Sequence, residues 1–178
     1  MLVMAMTAFS WLWMQWTHEA GHMIAGVATG AKIERVILDP RTFSMTQFES
    51  TPYPLVAVWG GPLIGVVLGA AIPLLLAYKF KRLRFELGLI TAFVLLANGL
   101  YIGIGAFNPV GDAVSMTKHG SPRWTLIMFS MPCLIAARMS LFHAWRHKRT
   151  DRMTMTGAVF LSLSAIMAVT GLILFPVS

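Results

Sequence analysis

Five apolar stretches, each about as long as a bilayer crossing, decide what this chain can fold into. They run from Leu2 to about Gly30, Tyr53 to Tyr78, Leu87 to Phe107, Trp124 to Leu141 and Met153 to Phe175. A bilayer core is crossed by about 20 predominantly apolar residues of helix. Lipid cannot hydrogen-bond an exposed backbone, so spanning segments of this length must be helical. The remaining residues are too few and too apolar to cover a soluble globule. Of the 178 residues, 57% are apolar and 12% charged, where a soluble domain carries about 25% charged residues. Disorder is excluded on the same ground. The expected fold is therefore an all-α polytopic membrane protein of about five transmembrane helices, built as one membrane-embedded domain over residues 1–178.

The segment between the first two spans has a different character. Lys32 to Thr51 is polar and rich in Thr, Ser and β-branched residues, and its halves 32–38 and 42–48 flank Asp39-Pro40-Arg41. That pattern predicts a small β-hairpin at the membrane surface between helices 1 and 2.

The net charge of +7 and the pI near 10.2 would suit a nucleic-acid binder only if the basic residues were not already accounted for. Nine of the 14 fall in two connections: Lys79, Lys81, Arg82 and Arg84, then Arg138, Arg146, Lys148, Arg149 and Arg152. Lys32, Arg35, Arg41, Lys118 and Arg123 belong to the opposite loops. Such asymmetry is the signature of cytoplasmic loops and anionic headgroups. The expectation is a cytoplasmic N-terminus, the hairpin outside, the lipid bilayer as partner and no nucleic acid. Met1 to Ala31 holds no Lys or Arg, so the basic start of a secretory signal is lacking and the first span is expected to be retained. Cys133 is the only cysteine, which rules out an intramolecular disulfide and a cysteine-built zinc site.

The first span carries residues that a plain anchor would not. His18-Glu19-Ala20-Gly21-His22 is an H-E-x-x-H motif. On a helix, positions i and i+4 share a face, so both imidazoles can reach one metal ion, and Glu19 stands beside them as a proton acceptor. Ionisable groups inside a bilayer are costly and mark function, and here three fall within five residues. A catalytic zinc takes three protein ligands and leaves a fourth position for water. With only seven acidic residues, the search for the third ligand is short. Glu34, Asp39 and Glu49 belong to the polar hairpin, and Glu86 and Asp151 adjoin the basic loops. Asp112, at the outgoing end of the third span, lies toward the same membrane face as His22. It is the expected third ligand, with His119 in reserve. Asn98, inside the third span, and Asn108, beside Pro109, are candidates for contacting substrate or supporting a ligand. Gly60, Gly61, Gly65 and Gly69 fit close helix packing.

Taken together, His18-Glu19-Ala20-Gly21-His22 in the first span, Gly60-Gly61-Pro62 in the second and Asn108-Pro109-Val110-Gly111-Asp112 after the third resemble the site-2 protease family of intramembrane zinc metallopeptidases. The resemblance covers about residues 10–120. It implies a catalytic core over about 1–120 with accessory helices over about 121–178. It also implies one zinc ion per chain held by His18, His22 and Asp112, with Glu19 as catalytic base. Where the family has Leu-Asp-Gly or Asn-Pro-Asp-Gly, this chain reads Gly111-Asp112-Ala113, with Asn108-Pro109 just upstream.

The function expected on this reading is that of a zinc-dependent metalloendopeptidase cleaving membrane-associated proteins or peptides, with the hairpin able to receive an unwound substrate as an added strand. The short connections point to a prokaryotic plasma membrane. The alternative is a membrane protein that binds metal or chaperones substrates without turnover. A metallopeptidase with a Glu as third ligand is disfavoured, because no Glu besides Glu19 lies in an apolar segment.

Overall fold

The computed structural model describes residues 2–41, 43–147 and 153–175. The elements follow as α1 (Leu2–Ala28), β1 (Lys32–Ile37), β2 (Met45–Ser50), α2 (Pro54–Lys79), α3 (Arg84–Gly105), α4 (Asp112–Lys118), α5 (Arg123–Trp145) and α6 (Met153–Leu174). A single 3₁₀ turn, Lys81–Leu83, joins α2 to α3. Each of the five apolar stretches forms a long helix. Lys148, Arg149, Asp151 and Arg152, which entered the charge and ligand arguments, lie outside the described residues, as does Thr42.

Four helices among the described residues, α2, α3, α5 and α6, are long and apolar enough to cross a membrane. The 27 residues of α1 have the length, but Gln15, Thr17, His18, Glu19 and His22 make it less hydrophobic. All five are buried, so its polar side is turned into the bundle and away from lipid.

The α1–α2 pair is antiparallel and tight, because small residues of α2 lie against the backbone of α1. A Cβ on Gly65 would stand 2.7 Å from the His18 Cα, and one on Gly69 2.8 Å from the Thr17 hydroxyl. Trp13 donates its indole N–H to the Gly69 carbonyl at 3.0 Å. Small residues let backbones approach where lipid supplies no hydrophobic drive for helices to associate. On the far side, α3 packs along α5, where the Ser130 hydroxyl donates to the Gly99 carbonyl at 2.6 Å. Buried Ile102, Ala106, Ala113, Met116 and Leu126 form one core cluster under α4.

The hairpin exists, but it is shorter and differently placed than the sequence predicts. β1 and β2 are antiparallel, pairing Val36 with Thr46 and Ile37 with Met45, with irregularities on either side of Ile33. These breaks account for the imperfect alternation, since each shifts the pleat by a residue. The hairpin does not rest at the end of α1. It folds back along that helix, with Phe48 against Gly26, Thr46 against Glu19 and Phe43 edge-on to Trp11. Trp11 is 17 residues before the end of α1, about 25 Å at 1.5 Å per residue. Leu38, just after β1, packs on Gly171 of α6, a helix that itself lies against α1 through Phe9–Phe160 and Trp16–Phe175. This explains why Val36, Ile37 and Leu38 are buried in succession. At its turn the Asp39 carboxylate accepts hydrogen bonds from the Arg41 backbone N–H, Nε and Nη2 at 2.7–2.9 Å. Those bonds hold its pKa down to about 2.

Candidate metal centre

α1, α3 and α4 converge toward the end of the bundle where α1 and α3 finish and α2 begins. The helical repeat of α1 brings His18 and His22 onto one face, with the ring centroids 4.8 Å apart. Asp112 arrives from the start of α4. The break that delivers it is Gly111, whose φ of +52° is a backbone conformation glycine adopts without strain. A side chain there would also collide with the Tyr101 hydroxyl. That hydroxyl accepts the Asp112 backbone N–H at 2.9 Å and so fixes where the carboxylate begins.

The ligand atoms meet closely. His18 Nε2 is 2.8 Å from Asp112 Oδ2, His22 Nε2 is 3.3 Å from the same oxygen, and the two Nε2 atoms are 3.2 Å apart. The opposite ring nitrogens are already engaged. His22 Nδ1 lies 2.9 Å from the Ala57 carbonyl oxygen, which can only accept. His18 Nδ1 lies 2.9 Å from Asn98 Oδ1. The Asn98 amide is oriented by donating Nδ2–H to the Val94 carbonyl at 3.0 Å, so its oxygen faces the imidazole. Both rings therefore carry a proton on Nδ1 and aim the Nε2 lone pair at the carboxylate. Three acceptors at this spacing require positive charge among them, from further protons or from a cation.

The donor set fits zinc. Bonds of about 2.0–2.1 Å to imidazole and carboxylate give a tetrahedron with edges near 3.3 Å, against 2.8, 3.2 and 3.3 Å here. Two imidazoles and one carboxylate leave the fourth corner open, as catalytic sites do. The Nδ1 contacts are of the kind that orients metal-ligating histidines.

Glu19 belongs to the same cluster. It is buried to 2% exposure, and its carboxylate oxygen lies within 4.8 Å of the histidine ligand nitrogens. Its Oε2 accepts the Thr46 hydroxyl at 2.6 Å, so the hairpin holds this carboxylate in place.

The predicted residues divide accordingly. The structure brings together His18, Glu19, His22, Asp112 and Asn98. Asn108 is exposed in the turn after α3 and takes part in none of the hydrogen bonds described above. His119 is exposed at the end of α4. Sequence reasoning missed Thr46, Tyr101, Ala57 and Gly61. Only Gly61 had a local signal, in Gly60-Gly61-Pro62. Pro62 has no N–H to donate to the Val58 carbonyl, one residue from the Ala57 carbonyl that accepts from His22 Nδ1. A Cβ on Gly61 would run into the His22 ring. Gly61→Ala should therefore displace the ring and lower zinc affinity by about 10–100-fold, as loss of a ligand's support does. Zinc content after dialysis against graded chelator measures this.

The chain was compared with known proteins. A family model described as Peptidase M50B-like matches residues 3–103, more than half of the chain, taking in α1 from its second residue, the hairpin, α2 and most of α3. Neither the curated proteins nor the solved structures contain a match.

Proposed function

We propose, from the premise that this chain belongs to the Peptidase M50B-like family, that it is a zinc metallopeptidase hydrolysing peptide bonds of membrane proteins at the depth of its metal site. α1 serves as a fifth span beside the four apolar helices, and the N-terminus faces the cytoplasm of a prokaryotic cell. The observation that carries the reading is the convergence of His18 Nε2, His22 Nε2 and Asp112 Oδ2 within 2.8–3.3 Å of one another, beside a buried carboxylate that is held separately.

His18, His22 and Asp112 are the residues that would hold one zinc ion. When bound, zinc supplies Lewis-acid activation of water and of the scissile carbonyl. The chain's own residues do the rest. Asn98 and the Ala57 carbonyl keep both imidazoles in the Nδ1–H tautomer, with Nε2 available as ligand. Glu19 accepts the proton that the attacking water loses and returns it to the departing amine. Thr46 fixes the Glu19 carboxylate through a short hydrogen bond and leaves its other oxygen for that proton. Thr46 also ties the base to β2, so a substrate strand that shifts the hairpin would act on the base directly. A helical substrate keeps its carbonyls bonded, so local unwinding precedes attack.

Purified protein in proteoliposomes with a membrane-protein substrate tests the reading. A zinc chelator should abolish cleavage, and restoring zinc in slight excess should recover it. Cleavage that continues in protein shown to be metal-free would refute the assignment.

A further inference from the structure

A second feature of the molecule lies away from the metal centre and does not depend on the peptidase reading. A groove of about 600 Å³ opens between α1 and α5, with α3 as its floor. It runs from Val3 to Ser10 on α1, from Phe85 to Leu96 on α3 and from Trp145 back to Leu134 on α5. The starts of α1 and α3 and the end of α5 share one membrane face. This is the face with the basic connections, where Arg84 and Arg146 flank Phe85 and Trp145.

Among the described residues, Arg138 is the only charged one lining the groove. It is exposed, and it belongs to none of the ion pairs among the described residues, which join His18 and His22 to Asp112 and Arg41 to Asp39. It lies seven residues inside the end of α5, about 10 Å from the basic face. No described carboxylate pairs with it, and an arginine at that depth is costly unless a partner meets its charge. The dimensions say which partner. The twelve residues of α3 and of α5, eleven helical steps, give a length of about 17 Å, close to half of a hydrocarbon core of about 30 Å. A transmembrane helix would need a groove of twice that length, whereas an acyl chain in one leaflet needs only this much. Basic pockets between helices on the positively charged side of a membrane protein are suited to anionic headgroups.

We infer that the α1–α3–α5 groove binds one anionic glycerophospholipid of the adjacent leaflet. An acyl chain lies along Phe85, Leu89 and Leu96, and the phosphate is drawn to the Arg138 guanidinium. The lipid fills the groove beside Val3 to Ser10 of α1 and brings a negative charge to Arg138.

The test is native mass spectrometry of the full chain released from nanodiscs containing phosphatidylcholine and phosphatidylglycerol. Wild-type protein should retain one phosphatidylglycerol in preference to phosphatidylcholine. Arg138→Gln should lower that retention about fivefold, whereas Arg123→Gln, at the other end of α5, should not change it. Leu96→Trp, which keeps Arg138 and fills the groove, should also lose the lipid, so the inference stays testable if Arg138→Gln misfolds. Equal retention of both lipids, or undiminished phosphatidylglycerol in folded Arg138→Gln and Leu96→Trp, would overturn it. Disulfide linkage of two chains through Leu96→Cys in a Cys133→Ser background would also overturn it, by placing a second copy in the groove.

Discussion

Glu19→Gln should leave the zinc content of the protein at the wild-type level and lower its rate of peptide cleavage by about 10²–10⁴-fold, the usual contribution of a positioned general base. The amide is nearly isosteric with the carboxylate and can still accept the Thr46 hydroxyl, now 2.6 Å from Glu19 Oε2. Only the capacity to take a proton is removed. The measurement pairs metal analysis with initial rates on one membrane-protein substrate. Zinc lost along with activity would make Glu19 a ligand and not a base. Zinc and activity both retained would place the base elsewhere.

The other large effect belongs to Asp112. Asp112→Ala should weaken zinc binding by more than the roughly 10–100-fold that loss of a supporting residue costs, because it removes one of the three proposed ligands and the only carboxylate among them. Asn98→Leu should fall within that smaller range. The Asn98 oxygen reaches the site through His18 Nδ1 at 2.9 Å, and the ring could still coordinate without it. Competition titrations with a chelator of known affinity give both values. Equal effects of the two substitutions would contradict the division between ligand and support.

How much of this was legible in the sequence follows from the range of each signal. The five long helices are marked by hydropathy, which is local. The i, i+4 spacing of His18 and His22 is also local, because a helix of any origin places them together. Asp112 could be reached without coordinates because so few acidic residues lie near apolar segments. Its setting could not: the expectation placed it at the end of the third helix, but it opens α4, after a turn that Gly111 permits. Asn108 looked equivalent to Asn98 in the chain, yet α3 has ended before it and its side chain faces outward. Thr46 had no signal at all. One Thr in a Thr- and Ser-rich segment acquires its role only because the hairpin folds back onto α1, and that packing depends on Gly26, Phe48 and Gly171, far apart in sequence. The buried polar side of α1 illustrates the same limit. Gln15, Thr17 and Glu19 lower its hydropathy as if it were a poor span, although they face the bundle.

Zinc K-edge X-ray absorption on the purified wild-type protein reads the proposed ligand set itself. The expected spectrum has a first shell of nitrogen and oxygen at about 2.0–2.1 Å, with the outer-shell pattern of two imidazoles from His18 and His22. A sulfur scatterer at about 2.3 Å, an imidazole count other than two, or a spectrum unchanged in Asp112→Ala would contradict it.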